Sequence, residues 1–277
     1  MEVRHAIHPD HAAAMDTEEL REHFLIQSLF DGGEPRMIYT FYDRLIVGGV
    51  KPIDGPATLS ADPAIIGAVY LLERREMGVI NIGGPGAITV DGEMFAMAPR
   101  DGLFIGMGGR DVVFESVDAA DPARFYLLSA PAHTSYPTTH IAFADAEPVT
   151  LGEMENSNRR TIRKYIHPGG VHSCQLVMGM TTLDTGSVWN TMPPHSHQRR
   201  MEAYIYFDMK PDNVVFHLMG EAGRTRHLVV REGEAVLSPS WSLHAGVGTG
   251  AYTFIWGMAG ENQTFTDMDA ISMADLK

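Results

Sequence analysis

A single cysteine in 277 residues, Cys174, excludes an internal disulfide. Basic residues are also scarce: 21 Lys and Arg against 35 Asp and Glu leave a formal net charge of −14. Nucleic acid and anionic membrane surfaces both need a basic face to offset their own charge, so neither is expected as a partner. An anionic substrate would have to meet a local basic cluster. Long apolar runs are missing too, since none approaches the roughly 20 residues that span a bilayer. The opening MEVRHAIHPD has no basic stretch leading into an apolar one. These absences lead to the expectation of a soluble, cytoplasmic protein, long enough for two domains or one large one and able to bury a core without disulfide or metal as a staple.

What the chain does have is β texture. From Ile38 onward, short apolar or alternating runs such as MIYTFY, AVYLL, GVINIG, AITVDG, MFAMAP, DVVFES and RFYLL are separated by Gly, Pro and Asp. That spacing predicts an all-β sandwich or barrel. One helix is expected earlier, over residues 16–30, with Asp16 or Thr17 as its cap and Leu20, Phe24, Ile26 and Leu29 at helical spacing. Residues 134–154 are turn-rich and read as a linker, dividing the chain into 1–145 and 146–277. Strand texture then resumes in CQLVMGMTTL, EAYIYFDM, NVVFHLM, EAVLSP and AYTFIWGM.

The halves echo one another. Gly233 leads to Pro239 and His244, as Gly92 leads to Pro99 and Phe104; Arg199-Arg200 precedes Glu202, as Arg74-Arg75 precedes Glu76. The pattern suggests a duplicated barrel whose first copy lost its histidines.

The chemistry gathers in TMPPHSHQRRMEAYIYFD. Alternate strand residues share a face, so His195 and His197 point toward one place. Glu202 has the wrong parity to continue that face, so QRRM must turn or bulge and the next strand must begin near Glu202, with Tyr204 and Tyr206 on its side. His244, beyond a Pro turn, would close the set. Three imidazoles and a carboxylate suit Zn, Fe, Mn, Ni or Co. An H-x-H pair alone arises by accident in a chain with 13 histidines, but the glutamate and the G-x5-P-x4-H segment make the combination specific. It resembles the two motifs of the cupin superfamily, with Trp241 standing where glycine is common after the turn proline.

Longer segments carry a narrower resemblance that covers essentially the whole chain. MDTEELREHFLIQSLF, RKYIHPGGVHSCQLVMGMTTLDTGSVWNTMPPHSHQRRMEAYIYFD and TRHLVVREGEAVLSPSWSLHAGVGTGAYTFIWGMAGENQTFTDMD are similar to the 5-dehydro-4-deoxy-D-glucuronate isomerase family, the 4-deoxy-L-threo-5-hexosulose-uronate ketol-isomerases of pectin and uronate breakdown. The resemblance implies a two-cupin fold (bicupin) with no metal ligands in 1–145, one Zn2+ per subunit on His195, His197, Glu202 and His244, a homohexamer, and an aldose–ketose interconversion of a keto-uronate. Two other classes share such a site: an Fe-dependent cupin dioxygenase, and a non-catalytic sugar-binding or storage bicupin.

A substrate carboxylate calls for an arginine or lysine. The candidates are Arg163, Lys164, Arg199 and Arg200, with Arg163 first, each also readable as a solvated surface charge. Gln175, Tyr204 and Tyr206 are the candidates for moving a proton, with Gln175 and Tyr204 preferred, although any of them could simply fill the barrel. His217 and His227 sit in strand patterns and are expected to hydrogen-bond neighbours. Cys174 reads as a small buried apolar residue without a partner histidine. NIGGPGAI lacks the context of a phosphate-binding loop and reads as a β-turn.

Overall fold

In the computed structural model, which describes residues 1–277, the strand-forming runs become two units, each built of two sheets. The first unit comprises Met1–Arg4, Leu29–Glu147 and Tyr165–Val177. Its larger sheet orders the strands Glu2–Arg4, Arg36–Thr40, Ile46–Val50, Phe125–Pro131, Arg75–Asn81, Gly102–Ile105 and Thr139–Ile141. Its smaller sheet orders Ala57–Thr58, Val112–Ser116, Gly86–Val90 and Glu93–Met97. Pairing is antiparallel except between Glu2–Arg4 and Ile38–Thr40. Alternation sends Met77, Val79, Leu103 and Ile105 from one sheet against Ile88, Val112 and Phe114 from the other, so the space between the sheets is an apolar core. The hairpin joining Arg36–Thr40 to Ile46–Val50 turns through Asp43 and Arg44, both left-handed at φ 46° and 53°, as tight hairpin turns require.

The second unit comprises His5–Ser28, Pro148–Lys164 and Met178–Lys277. One sheet orders Pro148–Leu151, Arg160–Ile166, Val177–Leu183, Thr253–Gly260, Arg200–Phe207, Ala235–Ser238 and Leu25–Ile26. The other orders Arg224–Val230, Val215–Glu221, His244–Gly248, Trp189–Ser196 and Asp269–Ala270. Against the expected division at residue 145, two segments change sides. His5–Ser28 joins the second unit because Leu25 and Ile26 pair with Val236 and Ala235 and cover the edge of that sheet. Tyr165–Val177 joins the first, where the Glu76 carboxylate accepts the backbone N–H groups of Cys174, Gln175 and Leu176 at 2.6, 2.8 and 2.9 Å.

The same pairing shortens the expected helix. It runs Thr17–Phe24 under a capping box in which Asp16 and Glu19 bond each other's backbone N–H, and it stops where the strand begins. A six-residue helix, Pro9–Ala14, precedes it. The run AVYLL is not a strand: Leu71–Glu73 form a 3-10 turn with Leu71 and Leu72 buried. No helix is long and apolar enough to cross a membrane.

The two units share a strand order, at a different register from the one the short motifs suggested. In the matching central strands, Met77 opposite Ile105 stands where Glu202 stands opposite Ser238. Arg75 opposite Pro131 stands where Arg200 stands opposite Gly260. Phe104 lies on the counterpart of Ala235–Ser238, whereas the counterpart of His244–Gly248 is Val112–Ser116. Glu76 is therefore out of phase with Glu202, and Phe104 is not the emptied His244 position. A Gly-to-Pro spacing is turn chemistry available to any hairpin, so it fixes no register by itself.

Candidate metal centre

Four elements of the second unit bring the donors together. His195 lies near the end of Trp189–Ser196 and is register partner to His244, the first residue of its strand. The chain leaves the strand after Ser196 and turns at His197, whose carbonyl accepts the Arg200 N–H at 3.1 Å. It re-enters as Arg200–Phe207. The turn expected in QRRM is present, but the new strand opens at Arg200, so Arg200, Glu202, Tyr204 and Tyr206 share one face.

The ligand-capable atoms of His195, His197, Glu202 and His244 all lie within 4.8 Å of one another, and no other group of three or more His, Cys, Asp or Glu donors converges in this way. His197 Nε2 and His244 Nε2 each sit 3.1 Å from Glu202 Oε2, and His244 Nε2 sits 3.0 Å from His195 Nε2. The far side of each ring is anchored: His197 Nδ1 donates to Arg200 O at 2.9 Å, while His195 Nδ1 and His244 Nδ1 lie 3.3 Å from Thr191 Oγ1 and Ser238 Oγ. The carbonyl partner fixes the His197 tautomer that leaves its Nε2 lone pair free for a cation, and the two hydroxyls, which can accept from Nδ1, are compatible with the same tautomer in His195 and His244. Nitrogens at ~2.0–2.1 Å from one tetrahedral zinc ion would lie roughly 3.3 Å apart, which matches this spacing. Two Nε2 atoms facing each other at 3.0 Å make poor neighbours unless something positive stands between them.

Electrostatics agree with the donor set. Burial alone would push the Glu202 carboxyl up, yet His244 and His197 hold it well below the usual carboxylate range. Burial, reinforced by His244, takes His195 down to about 3, so its ring is neutral at ordinary pH. Burial also opposes charge on His197, but the hydrogen bond and charge of Glu202 outweigh it and raise that ring. A buried carboxylate among imidazoles is an anionic nest of the kind that takes a divalent cation.

The donors line a cavity of about 130 Å³ shared with Arg160, Arg200, Tyr204 and Trp256. It opens past Leu151 and Met268, 44% and 43% exposed. Tyr204 is thus where the sequence placed it. Its hydroxyl hydrogen-bonds Glu202, and burial followed by the Glu202 charge pushes it far above the usual phenol range. Arg163 and Gln175 do not line the cavity. Gln175 is in the first unit, with its side-chain amide donating to Pro131 O at 3.0 Å. Arg163 has the opposite strand parity to Arg160 and Ile162, both of which do line it. Lys164 sets its ammonium 4.3 Å from the centre of the Phe265 ring. Arg199 pairs with Asp267 and Asp269 at 2.6 and 2.8 Å, while the Arg200 guanidinium donates to Thr264 O and Asp267 O.

Arg160 is the residue sequence reasoning missed. Its Nη1 donates to Asn158 O at 2.9 Å and its buried Nε has no partner. The i, i+2 spacing of Arg160, Ile162 and Lys164 was the available signal. His217, buried, takes the Tyr206 hydroxyl at 2.7 Å, as expected, while His227 is exposed with its ring on Phe216. Cys174 is only half-buried, its thiol on Thr134 O at 3.3 Å. Trp241 departs from the usual turn glycine because it serves the N-terminal segment, donating to Ile7 O at 3.2 Å and meeting Phe24 edge-on.

Comparison with known proteins gives a consistent set of matches. The model of the KduI/IolB family matches residues 58–273. A protein of Edwardsiella ictaluri named 4-deoxy-L-threo-5-hexosulose-uronate ketol-isomerase is 54% identical over 278 residues, covering all of both chains. One of the same name from Burkholderia cenocepacia is 55% identical over 281 residues, again covering both. Among solved structures, an IolB-like protein from Salmonella typhimurium LT2 superposes with a TM-score of 0.71 at 14% identity, covering 90% of this chain and 96% of that one, a likeness of fold.

Proposed function

The chain belongs to the KduI/IolB family, and from that membership we propose a zinc-dependent aldose–ketose isomerase that converts 5-dehydro-4-deoxy-D-glucuronate to 3-deoxy-D-glycero-2,5-hexodiulosonate. The observation that carries this reading is the convergence of three Nε2 atoms and one carboxylate oxygen in a cavity that also holds two arginines. His195, His197, Glu202 and His244 would hold the ion. Bound there, zinc would supply a Lewis acid for two adjacent sugar oxygens without changing oxidation state.

The chain's own groups have separable tasks in this reading. The Tyr204 phenol, kept protonated beside Glu202, can donate a hydrogen bond or proton to a substrate oxygen but is a poor base. Arg160 and Arg200 bring positive charge to the substrate's carboxylate. Arg160 is the better placed for a fork because both terminal nitrogens of Arg200 are already engaged. Trp256, Phe254 and Phe265 make the walls apolar, which strengthens polar contacts inside. The enclosed volume has room for the reacting end of a six-carbon acid, with the rest reaching the exposed rim.

A bicupin organisation, with the first unit lacking ligands and the second carrying them, a homohexameric assembly and a cytoplasmic location complete the proposal. The test is direct. Purified protein supplied anaerobically with the keto-uronate should form the 2,5-diulosonate by NMR, stop after chelation, and resume with zinc. No conversion with any divalent metal, or oxygen consumption with Fe(II) in place of isomerisation, would overturn the assignment. Native mass spectrometry checks the hexamer.

A further inference from the structure

The first unit has no histidine at the positions matching the metal centre, yet it keeps the arginine. Arg75 stands where Arg200 stands, at the same strand end, and it opens onto a cleft of about 320 Å³ bounded by Tyr39, Arg44, Arg74, Ile65 and Leu71. We propose that this cleft is a second ligand site, one that takes a short aliphatic acid through one or two carboxylates.

Arg75 is only 7% exposed. Burying a guanidinium without a paired anion is costly; the neighbouring Glu76 charge favours it, but that carboxylate is taken up by the N–H groups of Cys174, Gln175 and Leu176, Arg44, Arg74 and Arg75 make no ion pair, and no acidic side chain lines the cleft. Neutral acceptors hold Arg75 instead: Nε donates to Ser129 Oγ at 3.1 Å, and Nη2 to Arg44 O and Ser129 O, each at 2.6 Å. That leaves Nη1 without a partner in a guanidinium already fixed in place. Tyr39 lies beneath it, ring centre 5.9 Å from the guanidinium carbon. Burial lowers Arg75 to about 10, so it stays charged at neutral pH.

The surrounding groups favour an anion and then specify its kind. Arg44 is held at the cleft by the left-handed hairpin turn, and Arg74 reaches across to Gly67 O. Three cations around one cleft stand out in a chain whose formal charge is −14. The volume falls within the range of small-molecule pockets, ~300–1,000 Å³. The rest of the wall is apolar: Ile65, Ile66, Ala68, Leu71 and Pro131. Besides the arginines, the Tyr39 hydroxyl is the one polar side-chain group there. A polyhydroxylated sugar acid would leave most of its hydroxyls unmatched, whereas an alkyl chain bearing carboxylates would be matched at both ends.

Calorimetric titration of the metal-loaded, full-length protein with succinate tests the proposal, with butyrate and inorganic phosphate in parallel. Succinate should bind at millimolar concentration or tighter and more tightly than phosphate. The Arg44→Gln/Arg74→Gln protein, altered only at exposed side chains, should bind at least about tenfold more weakly, the effect of losing a charge-assisted hydrogen bond. Arg75→Lys, which keeps the charge and loses the fork, should weaken it too. Arg160→Gln, which disables the carboxylate contact proposed for the other cavity, should leave succinate binding intact. No binding, binding equal to that of phosphate, binding unmoved by the double substitution, or binding lost in Arg160→Gln would each overturn the proposal. Since the isomerase assay reads none of these quantities, failure here and failure of the proposed activity are distinguishable.

Discussion

Glu202 carries the only negative charge among the four converging donors. Glu202→Gln, nearly isosteric, should therefore lose stoichiometric zinc by elemental analysis and cut turnover by at least about 100-fold, since even outer-shell changes cost 10–100-fold. A variant that keeps both zinc and turnover would break the ligand assignment. Tyr204→Phe removes a hydroxyl from Glu202 without opening a cavity; it should retain zinc and lower kcat by on the order of 100-fold. Arg160→Gln should instead raise KM by about 10–100-fold with kcat less affected, the signature of lost charge-assisted binding, while Arg163→Gln should leave both near wild type. The four donors were legible because H-x-H, a following glutamate and a histidine after a Pro turn constrain one another. Choosing Arg160 over Arg163 needed the face of a strand, and a one-residue error in phase inverts every side chain on it. Gln175 falls outside the lining of the cavity for another reason. Its backbone N–H and that of its neighbours are drawn to the buried Glu76 carboxylate, a long-range contact that leaves no local pattern.

Among the elements, the N-terminal segment was the least legible and has the most structural consequence. Asp16 and Glu19 announce the helix start correctly, but nothing nearby says that Leu25 and Ile26 leave the helix for a strand, because the partner that draws them out is Val236–Ala235. Once there, the segment is fastened near His244. Phe24, fully buried, meets Trp241; Arg21 donates to Val229 O at 3.2 Å; and Arg226 donates to Ala13 O at 3.0 Å. Phe24→Ala should cost about 3–5 kcal/mol, the usual range for a buried aromatic. It should also raise hydrogen exchange in Ala235–Ser238 and in the turn that leads to His244. Zinc affinity should fall with it, although Phe24 touches no ligand. Exchange confined to the helix itself, with metal affinity unchanged, would show that the segment is a passive cover. The strand runs were easier to read, because period-two alternation between Gly, Pro and Asp breaks is a local signal; AVYLL failed because its leucines are buried by a 3-10 turn that presents no alternation.

For the molecule as a whole, the buried imidazoles dictate how the metal-free protein responds to acid. Burial keeps His195 and His217 neutral down to about 3, whereas in the unfolded chain both would charge near 6.5. Below about pH 6.5 the unfolded state therefore takes up protons that the folded state refuses, and stability falls until both rings charge near pH 3. Glu202 acts in the same direction at lower pH: its depressed carboxyl contributes stability above the ordinary carboxylate value, and this is lost on acidification. His197 opposes them, since its raised value contributes stability below about pH 6.5 that is lost as pH rises through the folded value. Two depressed rings outweigh one raised ring. A tenfold difference in proton affinity between folded and unfolded chain is worth about 1.4 kcal/mol and each kcal/mol roughly 2–4 °C, so the unfolding midpoint of chelated protein should drop by at least about 5 °C between pH 7 and 5. His217→Gln should flatten that slope, because it removes a titrating ring outside the donor set. Zinc-loaded protein should start higher and fall more steeply, since protons then compete with the ion for the same nitrogens. A midpoint that stays level or climbs on acidification of the chelated protein would mean that the imidazoles are solvated rather than buried, and the convergence drawn from their positions would fail with it.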